Sequence, residues 1–220
     1  MDTPKQNELI FDYAREQRTG VPEAVFCAGK TPDQINRLLT ETADRAGRLL
    51  LTRLEPALFQ QLNAPLDYDP LSRTALFGPC PQPAEPARIA IVTAGTSDLP
   101  IAREAARSLH FFGLASTEWA DVGVAGLWRL LERVEELRRY PLIIAVAGME
   151  GALFSVLAGL VPGLIIAVPS SCGYGVTANG HAALHAALGS CSPGVLVSNI
   201  DNGFGAACAA RKIITNSQAF

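Results

Sequence analysis

The sequence predicts an α/β fold in which a doubly wound parallel sheet follows a small α-rich N-terminal region. From residue 88 onward, almost uninterrupted apolar runs such as RIAIVTAG and PLIIAVAG alternate with segments whose apolar residues recur at helical spacing. Such runs are typical of parallel strands that are covered on both faces. Because parallel neighbours need right-handed helical crossovers, the alternation indicates one doubly wound sheet.

Four prolines between residues 79 and 86 separate this pattern from the N-terminal region. Residues 79–87 are therefore predicted to be a stiff, extended linker. Residues 1–78 are the predicted α-rich region, with helices at 8–17 and 31–54 and a short strand at 24–26. Thr31-Pro32-Asp33 is a typical helix start, with proline in the first turn. Residues 88–220 are the predicted catalytic domain.

Five strands with intervening helices are predicted in this domain. The strands are 88–95, 115–119, 141–148, 163–171 and 194–199, and the helices are 100–113, 126–140, 150–160, 178–189 and 205–214. With 220 residues and 49% apolar content, the chain is long enough to bury a substantial core in one or two domains.

Charge and composition argue against several classes of protein. The net charge is −3 and no dense Lys/Arg cluster occurs, so we expect no binding to nucleic acid or to a membrane. The acidic, amphipathic start does not resemble a signal peptide, which favours the cytoplasm. The apolar stretch 142–169 is interrupted by Glu150, glycines and Pro162, and is no membrane span. Five cysteines without zinc-ligand spacing are expected to be reduced thiols.

Four polar, glycine-containing motifs directly follow predicted strands. They are GTSD at 95–98, GMEG at 148–151, PSSCGYG at 169–175 and NIDNG at 199–203. Because ligands gather at the carboxyl ends of parallel strands, these motifs predict one distributed site. The candidate substrate-binding residues are Gly95, Thr96, Ser97, Asp98, Asp121, Gly148, Met149, Gly151, Ser170, Ser171, Gly173, Tyr174, Gly175, Asp201 and Asn202.

Each motif also has a purely structural interpretation. GTSD is equally typical of a turn with a helix cap and of a glycine loop whose free amides bind phosphate. Glu150 either complements a helix dipole or is placed to handle a proton, a metal ion or a ribose hydroxyl, and we favour the functional role. His110, His181 and His185 lie on predicted helices without ligand spacing, and we interpret all three as structural or surface residues.

Two cysteines are candidates for a nucleophile. Cys172 lies inside the PSSCGYG loop, whereas Cys191 lies between two serines just before Pro193-Gly194. Cys191 follows a predicted helix, whose negative C-terminal end disfavours a thiolate. A cationic group must therefore compensate, and a positively charged substrate ring would do so while also serving as the electrophile.

These motifs resemble a known family over nearly the whole chain. From RTGVPEAVFCAGKT through RIAIVTAGTSDLPIAREAA, DVGVAGL, VAGMEGAL, CGYG and SCSPG to NIDNGFGA, the chain is similar to the LarB family of nickel-pincer cofactor biosynthesis. Its C-terminal part also looks like the PurE family of aminoimidazole ribonucleotide carboxylases and mutases. The resemblance implies a PurE-like α/β domain and a homo-oligomer.

The resemblance to LarB also implies a reaction. Nicotinic acid adenine dinucleotide would be carboxylated by CO₂ on its pyridinium ring, and its phosphoanhydride hydrolysed, giving pyridinium-3,5-biscarboxylic acid mononucleotide and AMP. The dinucleotide is then substrate, so no organic cofactor is expected, whereas Mg²⁺ bridging the diphosphate is compatible with the chemistry. Cys191 matches the family's nucleophile loop, Glu150 its acidic position, and Thr96, Ser97 and Asp98 its phosphate or ribose loop.

The chain departs from the family pattern at three single positions and in the glycine spacing of TANGH at 177–181. Trp128 replaces a histidine, Phe154 a proline, and Cys172 an apolar residue. A PurE-like carboxylase or mutase remains the alternative enzyme, although STEWADVG occupies the place of that family's serine-alanine-histidine-arginine motif. A non-catalytic nucleotide-binding protein is the third hypothesis. Because Cys191 precedes a strand while the other motifs follow strands, we expect the site to be completed across a subunit interface.

Overall fold

The computed structural model describes residues 9–216. Residues 1–8, which include the acidic start and the first residue of the helix predicted at 8–17, lie outside the described residues, as do 217–220 of the predicted catalytic domain. The polypeptide divides between Cys80 and Pro81 into two compact units.

The N-terminal unit contains a mixed sheet as well as helices. Its elements within the described residues are α1 (Arg15–Thr19), β1 (Val25–Phe26), α2 (Pro32–Asp44), β2 (Leu49–Thr52), α3 (Pro56–Phe59), β3 (Asp67–Asp69) and β4 (Thr74–Phe77). The strand order is β1-β2-β4-β3, with β1 parallel to β2 and the other neighbours antiparallel. Ile35 and Leu38 of α2 pack with Leu49 and Leu51 of β2 in the core of this unit.

The helix predicted over residues 31–54 is wrong in its C-terminal part. Thr31 caps α2 as expected, since its hydroxyl accepts from Gln34 N and the Gln34 side chain accepts from Thr31 N. The helix ends at Asp44, Ala46 has a left-handed backbone, and residues 49–52 form a fully buried strand between β1 and β4. A short apolar run does not by periodicity distinguish a buried strand from a helix, and LLLT continues the apolar pattern of the preceding helix.

The C-terminal unit confirms the predicted doubly wound fold. Its strands and helices are β5 (Ala84–Thr93), α4 (Leu99–Phe111), β6 (Leu114–Trp119), α5 (Leu127–Leu131), α6 (Val134–Leu137), β7 (Leu142–Ala147), α7 (Ala152–Leu160), β8 (Leu164–Pro169), α8 (His181–Leu188), β9 (Val195–Val197) and α9 (Gly203–Asn216). The five strands are parallel in the order β6-β5-β7-β8-β9.

The strand order creates a crevice at the carboxyl edge of the sheet. From β5 the chain first crosses to β6 on one side and then to β7 on the other side. The loops that follow β5 and β7 therefore diverge, and such a switch point is where ligands bind in open α/β sheets. Helix α4 packs on α9, and α7 packs on α8.

Apolar side chains fix the register of the central strands. All residues of β7 are buried, and Ile144 lies beside Ile91 of β5 and Ile166 of β8. Strand β5 begins at Ala84 rather than at residue 88, so the end of the proline-rich segment belongs to the sheet. The helix predicted at 126–140 is divided into α5 and α6. Across residues 9–216, no helix combines the length and the apolar content that a membrane crossing requires.

Candidate functional site

A cavity of about 410 Å³ lies at the carboxyl edge of the C-terminal sheet. The loops after β5, β7 and β8 form it together with the segment that follows β6. Its lining residues are Ala94, Gly95, Ser97, Asp98, Gly123, Val124, Ala125, Ala147, Gly148, Met149, Glu150, Gly151, Ala152, Leu153, Cys172, Gly173 and Tyr174.

The fold brings many of the predicted site residues together in this cavity. Those that line it are Gly95, Ser97, Asp98, Gly148, Met149, Glu150, Gly151, Gly173 and Tyr174. The predicted residues that lie outside its lining are Thr96, Asp121, Ser170, Ser171, Gly175, Cys191, Asp201 and Asn202.

Asp98 carries a buried carboxyl group in the wall of the cavity. Its side chain is 4% exposed and accepts a hydrogen bond from Gly95 N at 3.0 Å. Burial raises the pKa of the Asp98 carboxyl and the charge of Asp201 acts in the same direction, whereas hydrogen bonding by Gly95, Ser170 and Gly148 opposes the rise. The GTSD motif thus forms a closed turn at the cavity wall.

We expect Asp98 to make the stability of the protein depend on pH. A carboxyl whose pKa is higher in the folded than in the unfolded protein stabilises the fold fully below its ordinary pKa of 3.8, and loses that contribution as pH rises through the folded pKa. Asp98→Asn removes this titration. Calorimetry from acidic to neutral pH should therefore show that the Tm of the wild-type protein falls relative to the Tm of Asp98→Asn as pH rises. A constant difference would contradict the prediction.

Glu150 is the exposed carboxylate of the cavity. It lies between Met149, with φ 54°, and Gly151, with φ 66°, just before α7. Among residues 9–216 its carboxylate makes no hydrogen bond or ion pair. Left-handed backbone at a non-glycine residue costs free energy and is concentrated at functional sites, and Met149 shares this conformation with Asp121 and Asp201 at neighbouring loops.

Cys172 lines the cavity and contacts two other loops. Its thiol donates to the Ser97 carbonyl oxygen at 3.2 Å, and its own carbonyl accepts from Met149 N at 3.1 Å. A Cβ atom at Gly148 would overlap the Cys172 carbonyl oxygen, so this close approach requires glycine. The PSSCGYG and GMEG motifs are therefore in direct backbone contact.

Three predicted binding residues make protein contacts outside the cavity lining. Asp121 forms an ion pair with Arg129 of α5. Asp201 accepts from Ser171 N at 2.8 Å. The Asn202 side chain accepts from Gly205 N at 2.7 Å, as expected of a residue that caps the start of α9.

Cys191 is exposed and lies apart from the cavity. Two hydrogen bonds join its loop to α7. Ser192 Oγ donates to the Ser155 carbonyl at 3.0 Å, and the Ser190 and Ser155 hydroxyls are 2.8 Å apart. The loop precedes β9 and belongs to the amino edge of the sheet, whereas the cavity is at the carboxyl edge. Within one chain, Cys191 and Glu150 therefore lie at different edges.

The cavity is largely apolar and carries negative charge. Its described lining includes the carboxyl groups of Asp98 and Glu150 and no lysine or arginine. Tyr174 stands at the rim with 77% of its surface exposed. An apolar cavity with acidic groups and an aromatic rim suits a flat, cationic ring better than a free anion.

Sequence reasoning missed the cavity wall formed by Gly123, Val124 and Ala125. Gly123 approaches the Ala94 carbonyl too closely for any side chain, and this contact between distant residues is visible only in the structure. Two of the departures from the family pattern lie outside the cavity lining: Trp128 is 63% exposed on α5, and Phe154 is fully buried in the core. Burial raises the pKa of the Cys27 thiol to about 12, which keeps it protonated.

Two family models match the chain in succession. Residues 7–78 match the LarB/PurE-like N-terminal domain, and residues 88–219 match AIR carboxylase. The two matches together cover most of the sequence.

Similar proteins are known by sequence and by structure. An uncharacterized protein from Methanocaldococcus jannaschii is 36% identical over 212 residues, which span 91% of this chain and 82% of that protein. Two solved structures are also similar, a variant of Treponema denticola PurE2 (20% identity, TM-score 0.44) and Treponema denticola PurE (22% identity, TM-score 0.41). Each similarity covers 60% of this chain and 90% of the other. With both of its family models matched in order, the chain belongs to the LarB family, in which a PurE-like AIR carboxylase domain follows the N-terminal domain.

Proposed function

We propose that the protein carboxylates the pyridinium ring of nicotinic acid adenine dinucleotide with CO₂ and hydrolyses its phosphoanhydride, releasing pyridinium-3,5-biscarboxylic acid mononucleotide and AMP. The observation that carries the proposal is the acidic, apolar cavity in an AIR carboxylase domain that is joined to a LarB-type N-terminal domain. The carboxyl groups of the cavity would stabilise the cationic pyridinium ring of the dinucleotide, whereas the anionic phosphates of either substrate gain nothing from them.

The proposed chemistry requires a nucleophile because both CO₂ and a pyridinium ring are electrophiles. The Cys191 thiolate adds to a ring carbon and forms a carbon–sulfur bond, which makes the ring a neutral dihydropyridine. The electron-rich enamine carbon then attacks CO₂ and forms the new carbon–carbon bond. Loss of the ring proton at that carbon and expulsion of the thiolate restore the aromatic pyridinium. The ring thus exchanges one proton for one carboxylate.

Glu150 is positioned to accept the proton that the ring loses in this reaction. Its exposed carboxylate lines the cavity and is not committed to another described residue. A carboxylate in reach of the ring carbon acts as the base that removes the proton before the thiolate leaves. Water then cleaves the diphosphate, and the two phosphates separate as the mononucleotide and AMP.

The residues at the cavity are compatible with Mg²⁺ bound mainly by the substrate. No cluster of three or more His, Cys, Asp or Glu occurs among residues 9–216, and the Asp98 carboxyl is buried and already accepts a hydrogen bond from Gly95 N. Mg²⁺ is usually held by one or two carboxylates together with substrate phosphates, and Glu150 is the available carboxylate. When bound, the ion would neutralise charge on the diphosphate during hydrolysis.

One incubation tests the proposed function. The purified protein is mixed with nicotinic acid adenine dinucleotide, Mg²⁺ and isotopically labelled bicarbonate, and the products are analysed by mass spectrometry. A labelled carboxylated mononucleotide together with AMP is the expected result. Carboxylation of aminoimidazole ribonucleotide instead would select the PurE-like alternative, and dinucleotide binding without turnover would select a non-catalytic nucleotide-binding role.

We expect the complete site to combine two copies of the chain. Cys191 belongs to the amino edge of the sheet and Glu150 to the carboxyl edge, so a neighbouring subunit would present one to the other. Mixing inactive Cys191→Ser protein with inactive Glu150→Gln protein, under conditions that allow subunit exchange, should therefore restore part of the activity. A fully active monomer in solution would contradict this arrangement.

A further inference from the structure

Tyr174 is an aromatic residue at the mouth of the cavity, and its side chain has no partner among residues 9–216. It lines the cavity after β8, and 77% of its surface is exposed. Its hydroxyl makes no hydrogen bond and its ring contacts no other aromatic or cationic group in this part of the chain. An unpacked ring contributes little to folding, so the stability of the domain does not explain a tyrosine here.

The backbone of Tyr174 is held firmly although its side chain is not. The Tyr174 carbonyl accepts from Thr177 N at 3.1 Å and from the Thr177 hydroxyl at 2.9 Å. A Cβ atom at Gly173 would overlap the Thr177 carbonyl oxygen, so this turn closes only with glycine at that position. The loop therefore presents the aromatic ring from a fixed base, which lowers the entropy cost of binding a ligand against it.

Met149 lies beside this turn at the mouth of the cavity. Its sulfur is 3.5 Å from the Thr177 hydroxyl, so the GMEG loop is in contact with the turn that carries Tyr174. Glu150, the next residue, lines the same cavity. The mouth thus offers an aromatic face and a polarisable thioether next to a carboxylate, a combination that suits a flat ring with positive charge.

We propose that Tyr174 is a specificity-determining residue, which stacks on the pyridinium ring of the dinucleotide and selects the cationic ring over its neutral, reduced form. The inference rests on the proposed function, because it takes the pyridinium ring as the group bound in this cavity. The face of the tyrosine ring is electron-rich and attracts a cation, whereas a neutral dihydropyridine gains only apolar contact. The discrimination therefore depends on charge, which separates this role from that of an ordinary apolar wall.

The stacking contact should act on substrate binding rather than on the rate of the reaction. When the nucleophile adds, the ring becomes neutral, so the attraction to Tyr174 is present in the bound substrate and weakened in the adduct. Removing the aromatic side chain should therefore raise KM without lowering kcat.

Binding of nicotinic acid mononucleotide in bicarbonate-free buffer tests the inference. The mononucleotide has the pyridinium ring but no phosphoanhydride, so neither carboxylation nor hydrolysis interferes. Calorimetry gives its dissociation constant and that of its chemically reduced, dihydropyridine form. Tyr174→Leu should weaken binding of the cationic form about tenfold and of the reduced form about twofold or less, because leucine keeps apolar contact but has no aromatic face. Tyr174→Phe should retain most of the affinity for the cationic form.

Val176→Ala is the matched control for Tyr174→Leu. Val176 is 97% exposed on the same loop and does not line the cavity, so its truncation removes apolar surface away from the ligand. Both dissociation constants should keep their wild-type values. Tyr174→Trp adds a spectroscopic readout, because an indole stacked on a pyridinium ring gives a charge-transfer absorption band. The band should appear with the cationic form and be absent with the reduced form.

Two results would overturn the inference alone. One is wild-type affinity of Tyr174→Leu for the cationic form. The other is an equal loss of affinity for both forms, which would indicate apolar contact without selection by charge. If the wild-type protein binds neither form, the proposed function fails and the inference fails with it. The behaviour of the wild-type protein thus distinguishes the two failures.

Discussion

Replacing Cys191 with serine should lower the rate of pyridinium carboxylation by about 10³-fold or more, the scale seen when a nucleophile is removed from an enzyme that forms a covalent intermediate. Serine keeps the size of the side chain but is not appreciably ionised near neutral pH, so it cannot add to the ring. Since Cys191 is exposed and its loop is held by Ser190, Ser192 and Ser155, the substitution should leave the fold unchanged. Turnover is measured by mass spectrometry and the fold by circular dichroism.

Cys172→Ser is the matched control for this substitution. It changes the same atom in a residue that lines the cavity, yet serine can still donate to the Ser97 carbonyl. The Cys172→Ser protein should therefore retain at least part of its activity. Full activity of Cys191→Ser, or complete inactivation by Cys172→Ser alone, would contradict the assignment of Cys191 as the nucleophile.

Replacing Glu150 with glutamine should lower turnover by about 10²-fold or more, the usual contribution of a positioned acid or base. Glutamine has nearly the same volume but cannot accept the ring proton. Because the Glu150 carboxylate has no partner among residues 9–216, its loss should not change the melting temperature appreciably. The turnover number is measured at saturating dinucleotide.

Glu132→Gln provides the comparison for Glu150→Gln. Like Glu150, Glu132 is an exposed glutamate. It follows the C-terminal end of α5 and does not line the cavity. Its substitution should leave the turnover number unchanged. An unchanged turnover number in Glu150→Gln would contradict a role for Glu150 in proton transfer. The carboxylate would then only complement the dipole at the start of α7.

The central strands β7 and β8 could be predicted because they are buried on both faces. Segments such as 142–147 and 164–169 are continuous apolar runs, and each is followed at once by glycine or serine. That local pattern also placed GTSD, GMEG and PSSCGYG at one edge of the sheet. Strand β2 was missed because LLLT follows a helical pattern, and only its pairing with β1 and β4 makes it a strand.

The direction in which each polar side chain points could not be predicted. The contact between Cys172 and Ser97 joins residues 75 positions apart, and the burial of Ser170 depends on the same packing of distant loops. Sequence spacing placed Asp98 and Ser170 at the correct edge but did not reveal that both are buried. It did indicate that Cys191 belongs to the opposite edge, because only the order of helix and strand is needed for that inference.

The contact between Gly148 and the Cys172 carbonyl limits how this cavity can evolve. No side chain fits at Gly148, so the inner wall cannot be reshaped by point substitution without moving a strand end. Tyr174 and Met149, by contrast, are exposed at the mouth and can change without disturbing the core. In a lineage that acquired a different nucleotide substrate, we therefore expect substitutions at the mouth of the cavity and an unchanged inner wall.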